Sequence, residues 1–483
     1  MHQFVISITG PDTESAIADM RAFASRCDLF ELRLDRIRDA DPPGLIAAAP
    51  KPVIATCRPQ HVGGQFAGTE AERLSLLSQA GGLGAKYVDI ELESAPGFDP
   101  RGAKLIVSHH DFSRVSENIT EIRARINALE PAIAKLVCTA KGAEDNMAML
   151  RLNRDSDVPT SAFCMGPAGL PSRVLGRKYG SRLTYAAFDA PGAAAPGQPT
   201  ISLLENTYRV RSVVTRTAVY GILGNPALHS VGPVFHNGAF ESLGLNAVYV
   251  PFETSDPDAF WQAFSPELKG LSVTTPFKRK ALQLSKSISP EAKAAGAVNT
   301  LVRGRGGFNG HNTDIAGIRV PLAKRIGELR GLRVLVLGAG GAAMAAVYAL
   351  TSEGAKVTIA NRTETRAETL AARFEVQTLP WDERASVPCD IVINATTVGL
   401  RGEDNPLLPP EFFKPGISAF DLVYRAGGTA FLRTAAEAGA NCIDGTEMFV
   451  AQAVEQLRLW TGKSLSPETV ESLAARVRAR LEI

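Results

Sequence analysis

The first two hundred residues carry eight short apolar or β-branched runs: FVISIT from Phe4, LFELRL from Leu29, PVIATC from Pro52, YVDIEL from Tyr87, KLIVSH from Lys104, AIAKLVC from Ala132, TSAFCM from Thr160 and LTYAAF from Leu183. Loops and segments of helical spacing separate them, which is the pattern of repeated βα units. Eight such units in this length predict a closed (β/α)8 barrel over residues 1–215, with reactive groups at the C-terminal ends of its strands. After Phe188 the chain becomes APGAAAPGQPT, too rich in Pro, Gly and Ala for regular structure. A polar helical stretch is expected from there through Val214.

The alternation resumes beyond a junction expected near Arg216. VYGILG, VYVPF, LSVTTPF and NTLVRG outline a compact α/β domain over 216–320. From 321 to 450 the pattern is that of a Rossmann domain. LRVLVL runs into a glycine-rich turn and an Ala-rich helix, and a second strand, KVTIANRT, follows. Amphipathic helices close the chain, one of them from Met448 to Trp460, and residues 451–483 are expected to return to the middle domain. The fold class is therefore α/β throughout: a barrel, then a two-domain α/β region.

A chain of 483 residues exceeds what one core organises, in keeping with several domains. A net charge of +2 with 21% charged residues gives no electrostatic case for nucleic acid or a membrane surface. The six cysteines are scattered without close pairs or nearby histidines, so no metal site and no disulfide framework is expected. With no basic leader and no long apolar run, the sequence points to a cytoplasmic protein with reduced thiols. Composition carries no signal for an oligomeric state.

Placing polar residues by the barrel rule puts Glu31 and Arg33 on the second strand, Arg58 after the third, His110 after the fifth and Lys135 on the sixth. Arg173 and Gln198 follow the seventh and eighth. Each has a bland alternative: Glu31 and Arg33 could form a structural ion pair, and a lone histidine is commonly a hydrogen-bonded loop residue. Seven such groups aimed at one mouth change that balance. A lysine inside AIAKLVC is costly to bury unless its amine is neutral or used. Desolvation and nearby arginines would favour the free amine, which attacks ketones to form imines.

ELRLD, TCRPQHVGGQFAG, SHHDF, AKLVC, CMGPAGLPSR and APGQPT resemble the type I 3-dehydroquinate dehydratases over roughly residues 4–200. The resemblance implies a Schiff base at Lys135, proton transfer by His110, and Glu31 orienting His110. It also implies that Arg33, Arg58, Arg173 and Gln198 hold the substrate. Val62 stands where the family has a glutamate and Ala194 where it has a serine, both in the loop that closes over substrate. A weakened lid is expected; alternatively, the barrel is a noncatalytic binding module.

In the Rossmann region Gly338, Gly340 and Ala343 form G-x-G-x-x-A, with Ala339, Gly341 and Ala342 completing the turn. Asn361, Arg362 and Thr363 replace the acid that would hold a ribose hydroxyl, and Arg362 suits a 2′-phosphate, so NADP is favoured over NAD. GNPALHSVGP, SVTTPFK, GAVNT, NGHNTDIAG, NATTVGL, FDLVY and MFVAQA resemble shikimate dehydrogenases over nearly all of 218–460. The resemblance implies a catalytic pair, Lys278 and Asp314. It implies substrate contacts at Ser230, Thr274, Asn299, Tyr424 and Gln452, with Asn394, Thr396 and Val398 near the nicotinamide. Gly232 replaces a second serine, which opens room at the carboxylate-bearing carbon and makes quinate a competing substrate. The two resemblances imply successive reactions, 3-dehydroquinate to 3-dehydroshikimate and then, with NADPH, to shikimate.

Overall fold

A computed structural model of the chain describes residues 2–189, 197–402 and 404–482; Ala194 lies outside them. The chain divides into two compact units. The first is Met1–Val219 with Pro226–Leu228 and Asn246–Glu267, and the second is the remainder.

Eight strands dominate the first unit: β1 (Gln3–Ile8), β2 (Leu29–Arg33), β3 (Val53–Thr56), β4 (Tyr87–Glu91), β5 (Lys104–Asp111), β6 (Ile133–Thr139), β7 (Thr160–Met165) and β8 (Leu183–Ala186). They pair in the order β7-β6-β5-β4-β3-β2-β1-β8, with the defined pairs parallel. The remaining gap is closed where Arg182 N donates to Thr160 O at 2.8 Å and Leu183 N to Ser161 Oγ at 2.8 Å. This is the expected barrel.

Residues two apart on a strand share a face. Val5, Leu29, Ile54, Tyr87, Ile106, Ile133 and Leu183 therefore form an apolar interior layer. One step nearer the C-terminal ends, the same faces carry Ser7, Glu31, Thr56, Asp89, Ser108, Lys135 and Tyr185. The outward residues, among them Ile90, Val107, Ala134, Leu136 and Ala162, pack in a separate core. The stretch expected as one polar helix is helical in two short pieces, Leu203–Thr207 and Val210–Ser212. Between them Arg209, at φ +51°, leaves helical geometry.

Twelve further strands follow among the described residues. β9 (Ala218–Gly224), β10 (Ala247–Glu253), β11 (Leu268–Val273), β12 (Ser287–Ile288), β13 (Thr300–Gly304) and β14 (Gly307–His311) form a mixed sheet in the order β10-β9-β11-β13-β14-β12. β15 (Arg333–Leu337), β16 (Lys356–Ala360), β17 (Gln377–Leu379), β18 (Ile391–Asn394), β19 (Ser418–Asp421) and β20 (Asn441–Ile443) form a parallel sheet in the order β17-β16-β15-β18-β19-β20. Counted from β15 this is 3-2-1-4-5-6, the Rossmann order, whose topological switch lies between β15 and β18.

The helix Gly445–Thr461 is capped by Asp444, which accepts from Thr446 N, and so starts three residues before the expected Met448. Gln456 Nε2 donates to Thr300 Oγ1 at 3.0 Å and Trp460 Nε1 to Leu301 O at 3.0 Å, fastening this helix to the mixed sheet. The final helix, Pro467–Glu482, approaches so closely that a Cβ on Gly238 would meet Leu473 at 2.6 Å.

Candidate active sites

At the C-terminal end of the barrel a cavity of about 310 Å³ is lined by all seven polar residues singled out from the sequence: Glu31, Arg33, Arg58, His110, Lys135, Arg173 and Gln198. Lys135 is 4% exposed. Its Nζ lies 2.8 Å from Asp89 Oδ2 and 3.2 Å from Glu31 Oε1, and 4.1 Å from the Tyr185 ring centroid. The arginines expected nearby, Arg33, Arg58 and Arg173, line the same cavity, but the charged groups in contact with the amine are carboxylates.

Asp89 and Glu91 were missed in the sequence, where YVDIEL reads only as a strand. Arg58 donates to Asp89 Oδ1 at 2.7 Å, to Glu91 Oε1 at 2.7 Å and to Ser108 Oγ at 2.8 Å. Arg73, fully buried on the helix Glu70–Gly82, stands 2.7 Å from Glu91 and donates to Cys57 O. Three buried cations, Lys135, Arg58 and Arg73, thus face three buried carboxylates, Glu31, Asp89 and Glu91. The pairing satisfies the requirement that buried charges be compensated.

His110 Nδ1 is buried and makes no hydrogen bond among the described residues. Burial, with Arg58 and Lys135 close by, holds the imidazole well below its usual pKa, so its neutral form dominates near pH 7. A neutral ring with an open nitrogen can take a proton from a neighbouring carbon. Glu31 gives His110 no hydrogen bond: it accepts from Ser7 Oγ at 2.7 Å and Thr56 Oγ1 at 3.3 Å and faces Lys135. The structure thus places the Glu31 carboxylate on the lysine rather than on the histidine.

Arg33 is held by Asp35 at 3.0 and 2.8 Å, not by Glu31. Gln198 Nε2 donates to Ser7 Oγ at 3.4 Å. Arg173 differs from the other cations: its Nε donates to Cys164 O at 3.0 Å, its guanidinium lies over Phe163, and among the described residues no carboxylate meets it. Burial lowers its pKa to about 10. A buried guanidinium of this kind suits the carboxylate of a ligand. Arg36, which the sequence reading passed over, also lines the cavity with a buried Nε that makes no hydrogen bond among the described residues. At the mouth lie Val62, Gly63 and Phe112. Gly63, at φ +77°, holds a backbone geometry that favours glycine, and a Cβ there would sit 2.6 Å from the Phe112 ring and push it aside.

In the second unit Lys278 Nζ donates to Asp314 Oδ2 at 2.6 Å. Asp314 opens the helix Asp314–Arg325, and its amide donates to Asn312 Oδ1. Asn299 Nδ2 donates to Asp314 Oδ1 at 2.8 Å and to Gln452 Oε1 at 3.3 Å, while its Oδ1 accepts from Thr313 N. Four of the expected residues, Lys278, Asn299, Asp314 and Gln452, therefore form one hydrogen-bonded group. Thr274 follows β11, and its amide donates to Leu223 O at the end of β9. Ser230 Oγ accepts from Gly232 N at 3.0 Å where the helix Gly232–Ser242 begins. The Tyr424 ring packs 5.7 Å from that of Phe449, and burial pushes its hydroxyl up to about 12.

The turn after β15 fits a dinucleotide. Gly338 has φ +112° and a Cβ there would meet Ala395 O at 2.9 Å, whereas the space above Gly340 and Gly341 is open. Their backbone, with Ala339 and Ala342 alongside, begins the helix Gly341–Ser352, whose N-terminal amides can receive a pyrophosphate. After β16, Asn361 Nδ2 donates to Thr363 O, and Arg362 is exposed with no carboxylate partner among the described residues. After β18, Asn394 Oδ1 accepts from Thr396 N and Oγ1, and Thr396 Oγ1 accepts from Val398 N. Asn394 donates in turn to Asp421, which the sequence reading also missed. Burial raises that carboxyl to about 6.

These features define an α/β protein with a lysine-centred barrel site and a separate dinucleotide-binding dehydrogenase. Residues 4–215 match the type I 3-dehydroquinase family. Residues 222–301, 321–400 and 445–474 match the shikimate dehydrogenase substrate binding domain, the shikimate / quinate 5-dehydrogenase family and the shikimate 5′-dehydrogenase C-terminal domain. The chloroplastic bifunctional 3-dehydroquinate dehydratase/shikimate dehydrogenase of Arabidopsis thaliana is 37% identical over 482 residues, 92% of this chain and 79% of that one. The NADP(+) shikimate dehydrogenase of Oleidesulfovibrio alaskensis is 41% identical over 53% of this chain and 94% of its own length. The solved shikimate dehydrogenase of Aquifex aeolicus, 36% identical, superposes with a TM-score of 0.51 over 53% of this chain and 97% of its own. A shikimate dehydrogenase solved with NADP+, 30% identical, gives 0.53 over 56% and 97%. The chain belongs to the bifunctional 3-dehydroquinate dehydratase/shikimate dehydrogenase family. It is an enzyme of the shikimate pathway with a dehydratase half and an NADP-dependent dehydrogenase half. Among the described residues no helix is long and apolar enough to cross a membrane.

Proposed function

We propose that Lys135 Nζ condenses with the ketone of 3-dehydroquinate, and that the resulting iminium acidifies the adjacent C–H. His110, neutral and with an open ring nitrogen, takes that proton and then assists departure of the hydroxyl as water. Arg173 receives the substrate carboxylate, with Arg33 and Gln198 flanking it and Arg58 bracing the carboxylates around Lys135. The observation that carries the reading is Lys135 itself, a buried amine between two carboxylates on the wall of the cavity that His110 and Arg173 also line. Borohydride reduction in the presence of 3-dehydroquinate, followed by peptide mass spectrometry, tests it. An adduct on Lys135 is expected; folded protein without one would leave the barrel a binding module.

In the second half, bound NADPH supplies the hydride to 3-dehydroshikimate. The chain contributes Lys278 as proton donor to the developing alkoxide and Asp314, fixed by Asn299, to hold the lysine in place, while Asn299 and Gln452 also contact the substrate. Ser230, Thr274 and Tyr424 contact the ring substituents and carboxylate. Gly338 to Ala342 take the pyrophosphate, Asn361, Arg362 and Thr363 the 2′-phosphate, and Thr396 and Val398 the nicotinamide side. The product of the first half is the substrate of the second. We place the enzyme in the cytoplasm, a reading supported by six free cysteines.

Gly232 supports a second reading. It offers only a backbone amide, donated to Ser230, where the resemblance leads one to expect a serine hydroxyl. Quinate oxidation by this half is therefore the competing assignment, and a strong preference for quinate over shikimate in NADP-linked kinetics would establish it.

A further inference from the structure

Asp89 is fully buried on β4 and both its oxygens are committed, Oδ1 to Arg58 at 2.7 Å and Oδ2 to Lys135 at 2.8 Å. It takes no part in the proton transfers assigned to Lys135 and His110. It stands closer to the reactive nitrogen than Glu31 does and, unlike Glu31, is tied on its far side to a second cation that fixes its position.

Imine formation conserves charge. An ammonium R–NH3+ and a ketone O=C give R–NH+=C and one water. Two of the three nitrogen protons leave with the ketone oxygen, and the third stays with the positive charge on nitrogen. An anionic frame built around the ammonium therefore serves the iminium without a change in its own charge. Loss of that last proton would leave a neutral imine, a much poorer electron sink.

We propose that Asp89 is the fixed counter-ion of the Lys135 nitrogen, keeping it cationic as the substrate iminium while His110 removes the adjacent proton. This rests on the Schiff-base reading of the barrel. Arg58 is then the residue that positions Asp89, which explains why a guanidinium lining the cavity gives both terminal nitrogens to protein acceptors.

The titratable and charged groups that line this cavity or pair with its lining are Glu31 and Arg33 from β2, Arg36 beyond it, Arg58 after β3, Asp89 and Glu91 from β4, His110 from β5, Arg173 after β7, Tyr185 from β8 and Arg73 from the helix Glu70–Gly82. His110 is held neutral, and burial pushes the Tyr185 hydroxyl well above its usual range. Neither supplies a basic limb between pH 7 and 10, and Arg173, which burial lowers to about 10, titrates only at the upper edge of that range, so a limb well below pH 10 reports the substrate-bound nitrogen.

The test is the pH profile of kcat for dehydration by the full chain carrying Asp89→Asn, with circular dichroism and thermal melting to verify folding. The expected result is a basic limb displaced to lower pH by about one unit or more, with the borohydride adduct on Lys135 still forming near pH 6. A limb that stays in place while kcat falls uniformly would overturn the proposal and leave Asp89 a packing residue. Should Asp89→Asn not fold, Asp89→Glu decides. It keeps the charge, so kcat falls but the limb stays within about half a unit; a limb displaced by a full unit would overturn the proposal. Absence of a Lys135 adduct in the unaltered chain would instead defeat the underlying Schiff-base reading, a separate outcome.

Discussion

Lys278 Nζ and Asp314 Oδ2 lie 2.6 Å apart, and the other Asp314 oxygen accepts from Asn299 at 2.8 Å. The carboxylate is buried while the lysine side chain keeps 24% of its surface exposed, so the acid is fixed and the amine reaches out from it. Lys278→Ala and Asp314→Asn should each lower kcat of the dehydrogenase by about 10²–10⁴, the range of a lost general acid–base group. Dehydratase activity of the same preparations should be unchanged. Paired steady-state assays check this.

Arg362 is the cation placed to distinguish the two nicotinamide cofactors. Arg362→Gln should raise KM for NADPH by about 10- to 100-fold, the value of about 1.5–3 kcal/mol for hydrogen bonds to a charged group. KM for NADH should barely move. Equal changes for both cofactors would show that Arg362 does not meet the 2′-phosphate.

Arg173 is a buried cation with no carboxylate partner among the described residues, a condition useful to binding and unfavourable to folding. Arg173→Met should raise KM for 3-dehydroquinate at least about tenfold. The barrel melting temperature should not fall. A drop in melting temperature with KM unchanged would mark Arg173 as purely structural.

Acid should affect the two units unequally. Burial depresses His2 to about 4, lowers His109 and holds His110 well below 6.5 in the first unit. The unfolded chain protonates such groups first, so stability present above pH 6.5 is lost as pH falls. In the second unit, burial takes His236 to about 3 and lowers His311. There Asp421 works the other way: its carboxyl, raised to about 6, protonates first in the folded state and stabilises as pH falls through 6 towards 4. Calorimetry from pH 7 to 4 should show the barrel transition falling more steeply than that of the dehydrogenase.

The barrel and the Rossmann sheet were legible because strand periodicity and the glycine turn are local signals. The seven cavity residues followed from one placement rule, that strand ends carry function. Asp89 and Glu91 were legible in principle: in YVDIEL they alternate on the inward face, and two acids there require buried partners. What the sequence could not show is how they pair. Arg73 reaches Glu91 from a helix, and Glu31 turns to Lys135 instead of His110, because these choices depend on which side chains the closed barrel brings within 3 Å. The raised Asp421 carboxyl was hidden for the same reason, since its burial depends on packing at the ends of β18 and β19.

The central claim is that one chain carries out both reactions in succession. Its most direct test is to mix the purified chain with 3-dehydroquinate and NADPH and no other enzyme, following absorbance at the NADPH band and the sugar-acid products by chromatography. Shikimate should accumulate with one NADPH consumed per molecule, and Lys135→Ala should abolish this while leaving reduction of added 3-dehydroshikimate intact. NADPH that stays unoxidised until a separate dehydratase is supplied would contradict the account.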